Sequence, residues 1–137
     1  MIYTKEIIEK LNEWLVTKAA PPYNLLLEQK KIELIKMAEA VIVSDPAFEW
    51  LVQNKYPILA AFVKAVEGES NSIQFLLKNK AVHWAATANA INYDSNADAF
   101  LKANKLEHYA KLATTFREIF MKQNDKNFFA QMHNPFI

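Results

Sequence analysis

The sequence predicts an all-α protein made of short helical hairpins, and three observations support this fold class. The chain has a single glycine, Gly68, and no Asn-Gly or Asp-Gly pair of the kind that closes a β-hairpin. Its only β-branched cluster is Val-Ile-Val at 41–43, which is too little to build a sheet. Apolar residues recur at helical spacing, and this pattern itself repeats about every 25 residues.

The internal repeat is visible when successive segments are aligned. Residues 47–71 and 72–96 are identical in eight of 25 columns, and 97–121 matches 72–96 in seven. An aromatic residue followed by leucine recurs in all three segments, and an Asn-Lys pair recurs after it. Residues 22–46 follow the same pattern less closely. We therefore expect four copies of one structural unit.

Each unit has the pattern of two helices, and the second helix carries an apolar stripe at i, i+3, i+4 and i+7. The stripe positions of the four copies are Leu34, Met37, Ala38, Val41; Leu59, Phe62, Val63, Val66; Trp84, Thr87, Ala88, Ile91; and Tyr109, Leu112, Ala113, Phe116. Asp45, Ser70 and Ser95 recur before the first helices, where a side-chain oxygen can cap the helix. We also expect Leu51, Leu76 and Leu101 to be equivalent buried positions.

The predicted organisation is a single all-α domain, stacked as a compact solenoid-like bundle with a leading capping helix. The half-repeat at the end is either a terminal cap or a contact with another molecule, including a second copy in a homo-oligomer. The predicted segments are a capping helix at 1–21, repeats at 22–46, 47–71, 72–96 and 97–121, and a half-repeat cap at 122–137.

Composition excludes several classes of function. Sixteen Lys and Arg against fifteen Asp and Glu give a net charge of +1, so nothing favours nucleic acid or a membrane surface as the partner. Without cysteine there is no disulfide and no thiolate metal site. The first residues show no signal-peptide pattern, and the longest apolar run, 58–63, is too short to span a bilayer. We therefore expect a cytoplasmic protein.

No residues in the sequence form a recognisable catalytic set, so we expect a protein that is not an enzyme and holds no metal or cofactor. One glycine cannot build a phosphate-binding loop, and the serines at 44, 70 and 95 are accounted for by helix capping. Glu67, Glu69 and Asp94 fall in connectors, where solvation leaves carboxylates unperturbed.

The three histidines, His83, His108 and His133, are spaced by 25 residues, but only the first two share a column of the repeat. That column also holds Glu33 and Ile58, and it lies about 100° around the helix from the core stripe. We expect His83 and His108 to be half-exposed, and we expect them to be weak candidates for contact with a partner or ligand.

The third copy is unusual because small residues follow the large Trp84. Either the indole fills the space or a cavity remains beside it. Asn89, Asn92 and Tyr93 lie on and after the same helix and could form the rim of such a pocket, although a run of this type is also typical of a helix end.

Two functions are consistent with these patterns. The first is a non-enzymatic protein–protein interaction or scaffold module, in which stacked hairpins present residues that vary between copies, at Glu33, Ile58, His83, His108 and the connectors 67–71 and 92–96. The alternative is a small-ligand or metal-binding helical domain that uses His83, His108 and the polar rim near Asn89.

Overall fold

The computed structural model describes residues 3–42 and 45–133, with side chains described as far as residue 123. The fold is all-α, as the sequence predicts, and the helices pack into a compact bundle. Within the described residues the helices are α1 Lys5–Thr17, α2 Ala20–Glu28, α3 Ile32–Ile42, α4 Asp45–Gln53, α5 Pro57–Val66, α6 Ser70–Lys78, α7 Val82–Ile91, α8 Ser95–Ala103 and α9 Glu107–His133.

The helices after α1 form successive hairpins of nearly constant length. The first helices of these hairpins begin at residues 20, 45, 70 and 95, and the second helices begin at 32, 57, 82 and 107. Each start therefore falls 25 residues after the equivalent start in the preceding hairpin. The last helix, α9, is longer, and residues 122–133 continue it without a turn. The remainder of the predicted half-repeat, 134–137, lies outside the described residues.

Every hairpin turn has the same backbone hydrogen bonds. In the turn after α4, the N–H of Lys55 donates to the carbonyl of Val52, and the N–H of Tyr56 donates to the carbonyl of Leu51. This is the Schellman arrangement, which places one residue in the left-handed region. That residue is lysine in all four turns, at Lys30, Lys55, Lys80 and Lys105, with φ between 58° and 64°.

Asparagine side chains reinforce three of these helix ends. The side-chain amides of Asn54, Asn79 and Asn104 each donate to the backbone carbonyl four residues earlier, at 2.8 Å. A carbonyl in the last turn of a helix has no partner within the helix, so the asparagine satisfies it. The recurring Asn-Lys pair is thus the sequence signature of the turn.

The predicted N-caps are one residue out of place where the structure describes them. Asp94, and not Ser95, caps α8, because the Asp94 carboxylate accepts from the N–H groups of Asn96 and Ala97. The residue before α6 is Glu69, whose side chain makes no capping bond, and Ser70 is already helical. A carboxylate at 94 reaches the free N–H groups of the first turn, which leaves Ser95 inside the helix.

The second helices, α3, α5, α7 and α9, lie side by side in chain order, and α3 also contacts α9. Each of α4, α6 and α8 packs between the second helices before and after it, while α1 packs against α2 and α9. The predicted stripe forms the core between these layers: all its residues are buried except Val41 and Val66, which are half-buried. The row of second helices therefore curls until its two ends touch.

Candidate functional site

The inside of the curl holds a group of aromatic and polar side chains that we call the central cluster: Tyr3, Glu33, His83, Trp84 and Tyr109. They come from α3, α7, α9 and the segment before α1. All five are buried, and Trp84 and Tyr109 have no exposed surface.

Tyr3 connects the first and last hairpins through this cluster. Its hydroxyl donates to Glu33 Oε2 at 2.9 Å, and its backbone N–H donates to the Tyr109 hydroxyl oxygen at 3.3 Å. Its ring lies edge-on to Trp84, with 6.2 Å between the ring centroids. A residue that precedes the first helix thus fills the concave side of the helical row.

The prediction that His83 and His108 are half-exposed is wrong. His83 is 3% exposed and His108 is 9% exposed, and both rings pack against Tyr109. A helical wheel places their column beside the core stripe, where a straight row of helices would leave it open to water. Because the row curls and Tyr3 and α1 cover its inner side, the column faces protein instead. Glu33, in the same column, is buried for the same reason.

The space beside Trp84 is occupied by neighbouring rings. The indole packs against Phe62 at 4.8 Å and against Tyr109 at 5.2 Å between ring centroids. Thr87 is buried behind it and donates its hydroxyl hydrogen to the His83 carbonyl at 2.6 Å. Of the two alternatives left open by the sequence, the structure thus shows the first, with the indole filling the space.

Two buried polar atoms of the central cluster have no hydrogen-bond partner among the described residues, Glu33 Oε1 and Trp84 Nε1. Burial raises the pKa of Tyr109 to about 12. Burial and the neighbouring Glu33 carboxylate raise the pKa of Tyr3 further above its usual range. Both phenols therefore stay protonated at neutral pH and act as hydrogen-bonding groups, not as acids or bases.

His108 forms the floor of a small cleft between α1 and α9. Glu9, Asn12, Glu13 and Lys111 complete this cleft, whose volume is about 100 Å³. Burial lowers the pKa of His108, and Lys5 lowers it further, while Glu9, Glu107 and Glu6 act in the opposite direction. In the part of the chain with described side chains, no three His, Asp or Glu residues come together in a way that could hold a metal ion.

The predicted polar rim divides between two places. Asn89 and Asn92 line a surface recess of about 420 Å³ together with Gly68, Ser70 and Gln74. Asn92 also donates from its side-chain amide to the Val66 carbonyl at 3.3 Å. Tyr93 does not line this recess: it is exposed, and the guanidinium of Arg117 lies 5.6 Å from its ring centroid.

A surface that the sequence prediction missed runs along the hairpin turns. Large apolar side chains are exposed there at equivalent positions of successive hairpins, and we call this surface the turn-edge stripe. Its members are Leu27, Val52 and Leu77 in one column, Ile32 and Val82 in a second, and Phe75 and Phe100 in a third. The signal was present in the repeat alignment, as columns that stay apolar outside the predicted core.

The turn-edge stripe borders a groove of about 550 Å³ between the second hairpin and α6. Val52, Pro57 and Phe75 contribute apolar walls, and Lys55 stands beside them. A further wall comes from the small side chains Ala60 and Ala61, which leave room between α5 and α6.

No helix in the described ranges is long and apolar enough to cross a membrane. Comparison of the chain with protein-family models, with curated proteins and with solved structures finds no match.

Proposed function

We propose that this protein is a non-enzymatic interaction module, and that a partner protein binds along the turn-edge stripe. The observation that carries the proposal is the recurrence of exposed apolar side chains at equivalent hairpin positions. Val52 is 55% exposed and Leu77 is 49% exposed, although each follows a leucine that is completely buried. Clustered apolar surface of this kind is typical of interaction sites.

The buried column supports this choice of surface. Partner contact through His83 and His108 requires their side chains to be accessible, and both are covered by α1, Tyr3 and neighbouring rings. The turn-edge stripe lies open, and its groove offers a concave apolar wall that a partner side chain can enter. A cytoplasmic location remains part of the proposal.

The test is affinity capture with paired variants. The change Val52→Gln with Leu77→Gln removes apolar surface from the stripe, and Val16→Gln with Met121→Gln removes comparable exposed surface elsewhere. We expect a partner that the wild type and the control pair retain and that the stripe pair loses, followed by titration with the purified partner. Equal retention by both pairs would argue against the stripe.

A second candidate is a small-ligand-binding domain, for which the recess at Asn89 and Asn92 is the supporting observation. In this alternative the ligand meets amide side chains and the Ser70 hydroxyl, with His83 and His108 inside the adjoining core. Thermal melts with a metabolite and metal panel test it. A ligand that stabilises the wild type but not Asn89→Ala supports it, and a panel without any shift counts against it.

A further inference from the structure

The four lysines at the hairpin turns are not explained by the turns themselves. A residue with φ near 60° brings its Cβ close to its own backbone, so a helix end of this type is usually glycine or asparagine. Here Lys30, Lys55, Lys80 and Lys105 hold φ values of 58°, 64°, 61° and 60°. Each turn would form with less strain if it carried glycine.

The four ammonium groups are available to a partner. All four lysines are exposed, and none forms an ion pair with another residue whose side chain is described. Other surface lysines differ: Lys64 pairs with Glu67 at 3.2 Å, and Lys102 pairs with Asp98 at 2.8 Å.

Charge is separated across the molecule even though the net charge is only +1. The hairpin turns carry the four lysines together with Lys78, against the exposed Glu28 and Glu107. The connectors at the other ends of α5 and α7 carry Glu67, Glu69 and Asp94. One edge of the helical row is therefore basic, and the opposite edge is acidic.

The lysines form a row beside the turn-edge stripe. Helices α5 and α7 run parallel because α6 lies antiparallel to both, and the same holds for each neighbouring pair of second helices. Packed helices lie about 8–10 Å apart, so successive turn lysines are spaced by roughly that distance. Lys55 lines the same groove as Val52, Pro57 and Phe75, which places one ammonium beside each section of apolar wall.

We infer that the partner segment is acidic and apolar, with carboxylates about 10 Å apart that pair with the turn lysines. This inference rests on the proposed function. Carboxylates three residues apart in an extended segment, or seven apart in a helix, have the required spacing. A phosphate backbone would meet the lysines but leave the apolar stripe without contacts, so a peptide fits the surface better than nucleic acid does.

The probe is a fluorescein-labelled peptide of about twelve residues with the repeat Leu-Asp-Ser, measured by fluorescence anisotropy with the full chain. A second peptide has the same composition with its aspartates clustered. The lysine variant changes Lys30, Lys55, Lys80 and Lys105 to glycine, which removes four charges while relieving strain, so its fold is retained. A charge-preserving variant changes the same four to arginine. The matched control combines Lys18→Gly with Lys5→Gln, Lys111→Gln and Lys122→Gln.

We expect the wild type, the arginine variant and the control to bind the regular peptide, and the glycine variant to bind about tenfold more weakly. The affinity should fall when the salt concentration rises from about 50 to about 300 mM, because exposed charges are screened. The clustered peptide should bind less tightly than the regular one. Thermal melts should show the glycine variant at least as stable as the wild type.

Three results would overturn the inference: no binding of the regular peptide by the wild type, equal binding by the glycine variant, or tighter lysine-dependent binding of a single-stranded oligonucleotide or of phosphatidylserine vesicles. The proposed function is separable. A captured partner that the stripe pair loses and the glycine variant retains would keep the interaction module and remove only the acidic segment. A partner indifferent to both variants would remove both.

Discussion

At the scale of single residues, His108 shows burial acting on a titratable group. Its ring lies against Tyr109, at the floor of the cleft beside Glu9 and Lys111. Burial is the largest influence on the pKa of His108 and lowers it from the ordinary value of 6.5, with the nearby carboxylates only partly opposing this shift. The folded protein therefore favours neutral His108 more than the unfolded chain does.

The sign of the pH dependence follows from this shift. Between the folded and unfolded pKa values of His108, the unfolded chain binds more protons, so acid favours unfolding. The contribution of His108 is complete above pH 6.5 and is lost as the pH falls through the folded pKa. We expect the wild type to lose more free energy of unfolding than His108→Gln between about pH 7.5 and about pH 5, measured by urea denaturation. Identical losses in both proteins would contradict the assignment.

Sequence reasoning was least able to predict the conformation and exposure of individual residues. The Asn-Lys recurrence indicated a boundary between helices, but not that lysine would adopt the left-handed conformation, since that position usually selects glycine. His83 was misplaced because a helical wheel describes one helix and does not include the curl that covers it. Asp94 was passed over as a cap because Ser95 falls in the recurring column.

At the scale of the helix, burial is set by the apolar stripe and by one leucine near the end of each first helix. Leu26, Leu51, Leu76 and Leu101 are equivalent in the repeat, and each has no exposed surface. The expectation for the last three is confirmed. Each leucine carbonyl also accepts the N–H that closes its hairpin turn, so the side chain and the turn are fixed together.

These leucines should contribute similar amounts of stability. We expect Leu51→Ala, Leu76→Ala and Leu101→Ala each to lower the free energy of unfolding by about 2–5 kcal/mol, because a fully buried side chain leaves a cavity. The neighbouring exposed residue supplies a control, and Val52→Ala should change stability by no more than about 0.5 kcal/mol. Chemical denaturation gives both values, and a leucine whose loss resembles that of Val52 would not belong to the core.

Elements were predictable because hydrophobic periodicity reports what a helix buries. The second-helix stripes were located residue by residue, and α1 buries Ile8, Leu11 and Leu15 from its predicted apolar face. The end of α9 was harder to predict. An alignment of 127–137 with 49–59 indicated a new unit, whereas the backbone continues as helix through residue 133.

At the scale of the whole molecule, the hairpins are held in a closed arrangement by contacts from the first described residues. Tyr3 bonds to Glu33 on α3 and to Tyr109 on α9, and the Thr115 hydroxyl on α9 donates to the Asn12 side chain on α1. The sequence could not predict this closure, because residues more than one hundred positions apart make these contacts and no repeat column records them.

The closure should be measurable through Tyr3 and Glu33 together. Tyr3→Phe removes the only hydrogen bond that the structure shows for the Glu33 carboxylate and should cost about 1–3 kcal/mol of stability. In a Glu33→Met background the same change should cost less than about 0.5 kcal/mol, since no buried acceptor is then left without its donor. A double-mutant cycle from urea denaturation tests this, and equal costs in both backgrounds would show that the bond carries no coupling.

The contacts of Tyr3 also fix the number of hairpins in the molecule. Each hairpin joins the next through the same turn, so nothing local limits how many units could follow one another. Tyr3, however, reaches Glu33 and Tyr109 at once only because three steps along the row bring α9 back to α3. A fifth hairpin inserted before α9 would carry Tyr109 one helix farther around the curl, and one amino-terminal residue could no longer bridge both ends. The size of this molecule is thus determined by a single tyrosine that lies outside the repeating units.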